Sequence, residues 1–132
     1  GAGVYDLTTK RLIDRKSGAE TRLMKPQVSP DGKFMAAGKD NLVSIYDIWN
    51  PEASVIKLLG HQSFVKSVSW SPDGKTLAST GTERESIILW STRTWSPLVE
   101  LPFPSKYVHF TKDGHYLITD GQQGLSVWAI EK

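Results

Sequence analysis

A four-residue block recurs along this chain at nearly constant spacing. It reads Ser29-Pro30-Asp31-Gly32, then Ser71-Pro72-Asp73-Gly74, and in a weaker form Thr111-Lys112-Asp113-Gly114. The blocks lie 42 and 40 residues apart. Apolar-aromatic pairs follow the three blocks and also open the chain: Ile45-Tyr46, Leu89-Trp90, Val127-Trp128 and Val4-Tyr5. The chain is therefore built from one unit repeated in tandem, rather than from a single irregular fold.

Each block has the chemistry of a hairpin connection. Proline fixes its own φ, aspartate accepts hydrogen bonds from the backbone amides ahead of it, and glycine takes the positive φ that closes the turn. In the clearest repeat an alternating segment, residues 64–70, precedes the block, and strands are predicted after it at Thr76–Thr80, 87–90 and Pro97–Leu101. The same order fits residues 24–59 and 106–129. Four short antiparallel strands in about 40 residues are the period of a propeller blade.

The order of motifs in the central repeat carries a family resemblance. Gly60-His61, the turn block at 71–74, Leu77-Ala78-Ser79 and Ile88-Leu89-Trp90 follow one another. In this order they resemble the WD-repeat family of β-propellers, and the resemblance extends over nearly the whole chain. It implies an all-β, WD-repeat-like propeller portion of about three four-stranded antiparallel blades. Residues 1–132 would form a single partial propeller with repeats at approximately 8–47, 54–91 and 96–129 and a leading orphan strand at 4–7.

The resemblance also implies a buried structural network in which a His, a Ser or Thr, an Asp and a Trp of one repeat are hydrogen-bonded. The matching positions are His61, Ser79 and Trp90 in the second repeat, Asp40 in the first, and Thr119 and Trp128 in the third. Ala36 and Tyr46 replace the hydroxyl and Trp partners of Asp40 in the first repeat, and Glu83-Arg84-Glu85 occupies the region of the Asp in the second. The third repeat lacks the His and the Asp, so no repeat carries all four groups. We expect His61 to be structural rather than catalytic.

WD-repeat propellers commonly bind partners on the rim where the innermost strands begin and in the turn between the second and third strands. The candidate partner-binding residues on this rim are Arg22, Met24, Lys39, Phe64, Lys66, Glu83, Arg84, Lys106 and Gln122. A mixture of cations and apolar groups suits a protein interface with aromatic or Arg anchors and a polar margin. The expected partners are other proteins or the remaining blades of the same propeller.

The implied function is that of a non-enzymatic protein-protein interaction scaffold. One alternative is the propeller domain of a prolyl-oligopeptidase-type hydrolase, because those blades also use Ser-Pro-Asp-Gly turns; Gly60-His61 with Leu89-Trp90 favours the WD-repeat interpretation. A second alternative is an RNA-associated WD-repeat subunit of a larger particle. A formal net charge of only +2 makes nucleic acid an unlikely partner.

No catalytic or cofactor motif is found in the sequence. It lacks a P-loop, a dinucleotide Gly-x-Gly-x-x-Gly, a His-Glu-x-x-His and a nucleophile elbow. His109 and His115 have no cysteine or carboxylate pair beside them and make a weak zinc site. We therefore expect no enzyme activity, no cofactor and no metal.

Length and composition add two expectations. Propellers close with about 4–8 blades, and at this period four blades need more residues than the chain has. The chain is expected to be a C-terminal part of a larger propeller, or one half of a homodimer that closes a six-bladed ring. The absence of cysteine, of a long apolar run and of a signal peptide predicts a soluble intracellular protein, cytoplasmic or nuclear, with no membrane contact.

Overall fold

The computed structural model describes residues 3–6, 11–14, 24–50, 52–82, 86–121 and 124–130, and these contain β-strands and no helix. The first six strands are β1 (Gly3–Asp6), β2 (Arg11–Asp14), β3 (Met24–Val28), β4 (Phe34–Lys39), β5 (Leu42–Asp47) and β6 (Ile56–Leu58). The next four are β7 (Ser67–Trp70), β8 (Thr76–Thr80), β9 (Ile87–Ser91) and β10 (Pro97–Leu101). The last three are β11 (Tyr107–Phe110), β12 (Tyr116–Gly121) and β13 (Gly124–Ala129).

The strands form four antiparallel sheets in which neighbours in sequence are neighbours in space. β1 pairs with β2; β3 to β6, here called blade 1, and β7 to β10, blade 2, are four-stranded; β11 to β13, blade 3, is three-stranded. This confirms the all-β, propeller-like architecture predicted from the repeat. The predicted strands at Thr76–Thr80 and Pro97–Leu101 coincide with β8 and β10. The predicted orphan strand at 4–7 corresponds to β1, except that position 7 lies outside the described residues.

The innermost strand of each blade contacts its counterpart in the next blade. β7 lies against β3 on one side and against β11 on the other. Since each blade has two apolar faces, the core forms between the blades rather than within one sheet. The junction of blades 1 and 2 is filled by Ala36, Val43, Ile45, Leu58, Val65, Val68, Trp70, Leu77, Ile88 and Trp90. The junction of blades 2 and 3 is filled by Ala78, Ile87, Val108, Phe110 and Leu117.

Candidate functional site

The three turn blocks share one hydrogen-bonded geometry that sets the start of the second strand in each blade. In blade 2 the Ser71 hydroxyl donates to the Asp73 carboxylate at 2.6 Å, and that carboxylate accepts the backbone N–H of Lys75 at 2.9 Å. The Ser71 oxygen in turn accepts the backbone N–H of Thr76 at 3.0 Å. The glycine of each block, Gly74 in this one, has a positive φ of 74–76°. The same pattern recurs at Asp31 and at Asp113.

These bonds favour the ionised carboxylates of the outer two blocks. The Ser29 hydroxyl, followed by the Lys33 backbone N–H, lowers the pKa of Asp31 below its ordinary value. The His115 backbone N–H, followed by the Thr111 hydroxyl, lowers the pKa of Asp113 in the same way. Hydrogen bonds to the charged form of a carboxyl group are the physical cause. The blocks are therefore structural.

Three of the predicted network residues meet at one buried oxygen in blade 2. The Trp90 indole donates to the Ser79 hydroxyl at 2.8 Å, and His61 Nε2 lies 2.7 Å from the same oxygen. All three side chains are buried. A Cβ at Gly60 would lie 3.0 Å from the Trp90 ring, which explains why glycine precedes the histidine. The arrangement ties the segment ahead of β7 to β8 and β9 through buried side chains.

The first and third repeats differ from this arrangement. In blade 3 the Trp128 indole donates to the Thr119 hydroxyl at 2.9 Å. In blade 1 the position equivalent to Ser79 is Ala37, and the prediction of Ala36 from the sequence was wrong by one residue. Ala37 pairs with Ser44 across the β4–β5 ladder as Ser79 pairs with Ile88 across β8–β9.

Asp40 is placed differently from the expected network position. It occupies the two-residue turn between β4 and β5 with a φ of +53°, and its side chain is exposed. Its backbone carbonyl, rather than its carboxylate, makes the contact with blade 2 by accepting the N–H of Val65 at 2.9 Å. The turn directs the carboxylate to solvent, so among the described residues Asp40 adds no carboxylate to a buried network.

Side chains missed by the sequence analysis join the inner strands of neighbouring blades. Ser67 Oγ accepts the backbone N–H of Val108 at 3.3 Å, and Ser69 Oγ accepts that of Phe110 at 3.1 Å. These N–H groups lie on the edge of β11 that β12 does not pair, where an unpaired buried donor is costly. The spacing of these residues in the sequence could have revealed the bonds. Each bond joins two residues 41 positions apart, which is close to the length of one repeat.

These bonds also orient the rim. From the first bond to the second, the contact moves two residues forward in β7 and also two residues forward in β11. The two inner strands are therefore parallel and begin at the same end of the blades. Four of the predicted rim residues, Lys39, Phe64, Lys66 and Lys106, lie in the segments at this end. Phe64 is 60% exposed, and the Lys66 and Lys106 side chains are also exposed.

Short backbone bonds hold this rim in place. The N–H of Lys66 donates to the Thr80 carbonyl at 2.8 Å, and the N–H of Lys106 donates to the Asp120 carbonyl at 2.8 Å. A further anchor missed by the sequence analysis is Ser105, which is buried and whose oxygen accepts the N–H of Asp120 at 3.0 Å. The candidate residues Arg22, Glu83, Arg84 and Gln122 lie outside the described residues, as does the side chain of Met24, whose backbone begins β3.

The described ranges contain no cluster of three or more His, Cys, Asp or Glu side chains suited to a metal ion. None of their segments is a helix long and apolar enough to span a membrane.

Comparison with known proteins identifies the repeat. The family profile "WD domain, G-beta repeat" matches residues 24–47 and 52–91. The chain is 34% identical over 132 residues to human Echinoderm microtubule-associated protein-like 1, covering 95% of this chain and 15% of that protein. It is 34% identical over 101 residues to the Transcriptional corepressor LEUNIG_HOMOLOG of Arabidopsis thaliana, covering 74% of this chain and 13% of the relative.

A third relative is Pre-mRNA-processing factor 19 of Oryza sativa subsp. japonica, 30% identical over 105 residues, with 75% of this chain and 19% of that protein covered. The chain therefore spans less than a fifth of the length of each of these three curated relatives. The matches do not favour a prolyl-oligopeptidase-type propeller. With the repeated four-stranded sheets and the buried His-Ser-Trp contact, they show that the chain belongs to the WD-repeat family of β-propellers.

Proposed function

We propose that the chain is part of a non-enzymatic protein-interaction scaffold and that a protein partner binds on the rim where β3, β7 and β11 begin. Loops on a rigid β-scaffold are common binding positions, and this rim combines an aromatic side chain with several lysines. An intracellular location is part of the proposal. It is supported by relatives whose names describe a transcriptional corepressor and a pre-mRNA-processing factor.

The observation that carries the proposal is the contrast between two adjacent side chains. Val65 is fully buried and its N–H is bonded to the Asp40 carbonyl, whereas Phe64 is 60% exposed. Because the burial and the backbone bond of Val65 fix this segment, the Phe64 side chain is held toward solvent. A rigid aromatic anchor loses little conformational entropy on binding, and aromatic residues are enriched among the energetically dominant contacts of interfaces.

The surroundings of Phe64 indicate the chemistry of the partner. Lys66 lies two residues further on and is exposed, and Lys39 belongs to the β4–β5 hairpin whose Asp40 carbonyl bonds Val65. A partner with an apolar pocket for the Phe64 ring and carboxylates at its margin would complement this surface. The predicted contributions of Arg22, Met24, Glu83, Arg84, Lys106 and Gln122 belong to the same proposal.

Site-specific photo-crosslinking in cells tests the rim directly. The photoreactive residue p-benzoylphenylalanine is placed at position 64 of the full-length protein, and separately at position 49. Trp49 is a matched control because it is also 60% exposed and lies at the opposite end of blade 1, where its indole bonds the Gly32 carbonyl. We expect a discrete protein adduct from position 64 that Lys66→Glu weakens. Equal adducts from both positions, or none from position 64, would contradict the proposal.

We also propose that blade 3 packs against a further blade. Leu125 and Val127 are 75% and 63% exposed, although their equivalents in blade 2, Ile87 and Leu89, pack against blade 3. The strand pairing shows that these positions correspond. Trp128 pairs with Leu117 in blade 3 in the same way as Trp90 pairs with Leu77 in blade 2. A surface of this composition is suited to burial.

The covering blade could come from the same protein or from a second copy, as in the proposed homodimer with a six-bladed ring. Light scattering coupled to size-exclusion chromatography on the 14.7 kDa chain separates these forms. A discrete dimer that Val127→Glu dissociates supports the second copy, and an aggregating chain supports blades from elsewhere in the protein. A monodisperse monomer whose melting temperature Val127→Glu leaves unchanged would contradict the packing proposal.

A further inference from the structure

The chain contains three Ser-Pro pairs, and the structure gives their serines two different environments. Ser29 and Ser71 open turn blocks, are buried, and each donates its hydroxyl to the aspartate of its own block at 2.6 Å. Ser96, which precedes Pro97, lies in the connection between β9 and β10, and its side chain is exposed. Its hydroxyl lies 2.6 Å from that of Thr94, which is also exposed. Ser96 is therefore the Ser-Pro serine whose hydroxyl a modifying enzyme can reach.

The backbone of this connection is held by bonds to Ser91. The Ser91 hydroxyl accepts the N–H groups of Arg93 at 3.2 Å and Thr94 at 3.3 Å, and its carbonyl accepts the N–H of Trp95 at 2.8 Å. The Ser91 N–H donates to the Ser96 carbonyl at 2.9 Å. Since these bonds use the main chain of Ser96 and not its hydroxyl, a group attached to that oxygen breaks none of them.

The residue before Ser96 anchors the loop in the core. The Trp95 indole packs edge-on against Phe34 and Trp70 at the junction of blades 1 and 2, with ring centroids 5.6 and 6.2 Å away. Its φ of +56° is uncommon for an aromatic residue. An indole seated between two blades thus holds one end of the segment, while the next side chain, that of Ser96, lies at the surface.

The segment after Ser96 can separate from the blade at low cost. It begins β10, the outermost strand of blade 2, which pairs with β9 alone among the described strands. The pairing shifts register between Pro97 and Val99, so the ladder is irregular at the end that follows Ser96. Edge segments with few buried contacts open locally without global unfolding, and proline biases the residue before it toward an extended backbone. Local opening therefore presents Ser96 in the extended form that a protein kinase binds.

The charges of this loop suit a phosphate group. Arg93, three positions before Ser96, is exposed and is the only charged residue between positions 86 and 99. The loop contacts the second turn block, where the Thr92 N–H donates to the Lys75 carbonyl at 3.1 Å. The Asp73 carboxylate of that block already accepts bonds from its own turn. A phosphate beside an arginine gains charge-assisted hydrogen bonds.

We propose that Ser96 is a phosphorylation site for a proline-directed serine/threonine protein kinase. In the reaction the Ser96 oxygen attacks the γ-phosphorus of ATP and its proton passes to a base of the kinase. The bond between that phosphorus and the β,γ-bridging oxygen breaks, and ADP leaves. The product carries a charge of about −1.5 to −2 on this side chain at neutral pH, with Arg93 in the same loop.

The modified loop is separate from the rim. β8 runs antiparallel to β7 and β9 runs antiparallel to β8, so the connection that follows β9 lies at the opposite end of the blades from the start of β7. The inference therefore goes beyond the proposed rim function, and it does not depend on Phe64.

Treatment of the folded full-length protein with a purified mitogen-activated protein kinase and ATP tests the proposal. Mass spectrometry assigns the phosphate, because Ser29, Ser71 and Ser96 fall in different tryptic peptides. Each rate is divided by that of a synthetic peptide spanning the same serine, which removes the sequence preference of the kinase. We expect this ratio to be at least about tenfold higher for Ser96 than for Ser29 or Ser71, whose hydroxyls are buried in turns.

Two proline variants provide matched controls. Pro97→Ala keeps the Ser96 hydroxyl but removes the proline that the kinase recognises, and it should abolish incorporation at Ser96. Pro102→Ala, at another exposed proline of the same blade edge, should leave incorporation unchanged. An unmodified Ser96 in the folded protein would overturn the proposal. Equal ratios at the three serines, or equal incorporation in the two proline variants, would overturn it as well.

Discussion

The indole Nε1–H of Trp70 donates a 2.9 Å hydrogen bond to the carbonyl oxygen of Gln27, 43 residues away in the neighbouring blade. Gln27 lies in the inner strand β3, where it pairs with Ala36 of β4, so the Trp70 bond adds a contact from the neighbouring blade to this strand. On the other side of blade 2 the Ser69 hydroxyl caps the Phe110 N–H of β11. The inner strands are therefore joined laterally through side chains, without a continuous backbone ladder.

Replacing Trp70 with phenylalanine tests this lateral bond. Trp70→Phe removes the donor to Gln27 and part of a buried ring, so we expect the free energy of unfolding to fall by about 2 kcal/mol in urea titrations. Trp49→Phe is the control, because its indole also bonds a backbone carbonyl but is 60% exposed. Its cost should stay below about 0.5 kcal/mol. Equal costs at both positions would show that the lateral bond contributes nothing of its own.

Ser79→Ala tests the oxygen shared by His61 and Trp90. The variant leaves both buried nitrogens without this partner, and we expect a loss of about 2–4 kcal/mol in unfolding free energy. The indole N–H resonance of Trp90 should shift and exchange faster with solvent. Trp128 is an internal control in the same sample, because its bond to Thr119 is untouched. An unchanged Trp90 resonance would contradict the observed geometry.

Thr80→Val should stabilise the protein. The Thr80 hydroxyl is fully buried and has no hydrogen-bond partner among the described residues, so an apolar group of the same shape removes a desolvation cost of about 1 kcal/mol. Thr119→Val should act in the opposite direction, because that hydroxyl accepts the Trp128 indole. Thermal melting of the two variants checks the signs, and destabilisation by Thr80→Val would contradict the prediction.

Acid should weaken the fold through the turn blocks. The pKa of Asp31 and that of Asp113 are depressed in the folded state, so their contribution is fully present above the ordinary value of 3.8 and is lost as the pH falls below it. The melting temperature should therefore drop over this range. It should drop less steeply in the double variant Asp31→Asn with Asp113→Asn, which keeps the acceptor oxygens but not the charges. Identical slopes would exclude these carboxylates as a cause.

The turn blocks were predictable because their interactions are local. The bonds of Ser71, Asp73 and Thr76 join residues two and five positions apart, so the residue types suffice to define the turn and the strand that follows. The start of β7 was less predictable. An alternating segment from Phe64 predicts a longer strand, but the ladder begins at Ser67, because the N–H of Val65 bonds to the Asp40 carbonyl of blade 1.

By itself, therefore, the sequence determined the repeat, the turn blocks, most strand positions and the grouping of His61, Ser79 and Trp90 in one repeat. Only the tertiary structure decided that Asp40 faces solvent, that Ser69 caps β11, and that Trp95 fills the junction of blades 1 and 2. These features depend on contacts between residues of different repeats. Equivalent positions carry different residues from blade to blade, so their partners are set by the geometry of packed sheets rather than by the repeated pattern.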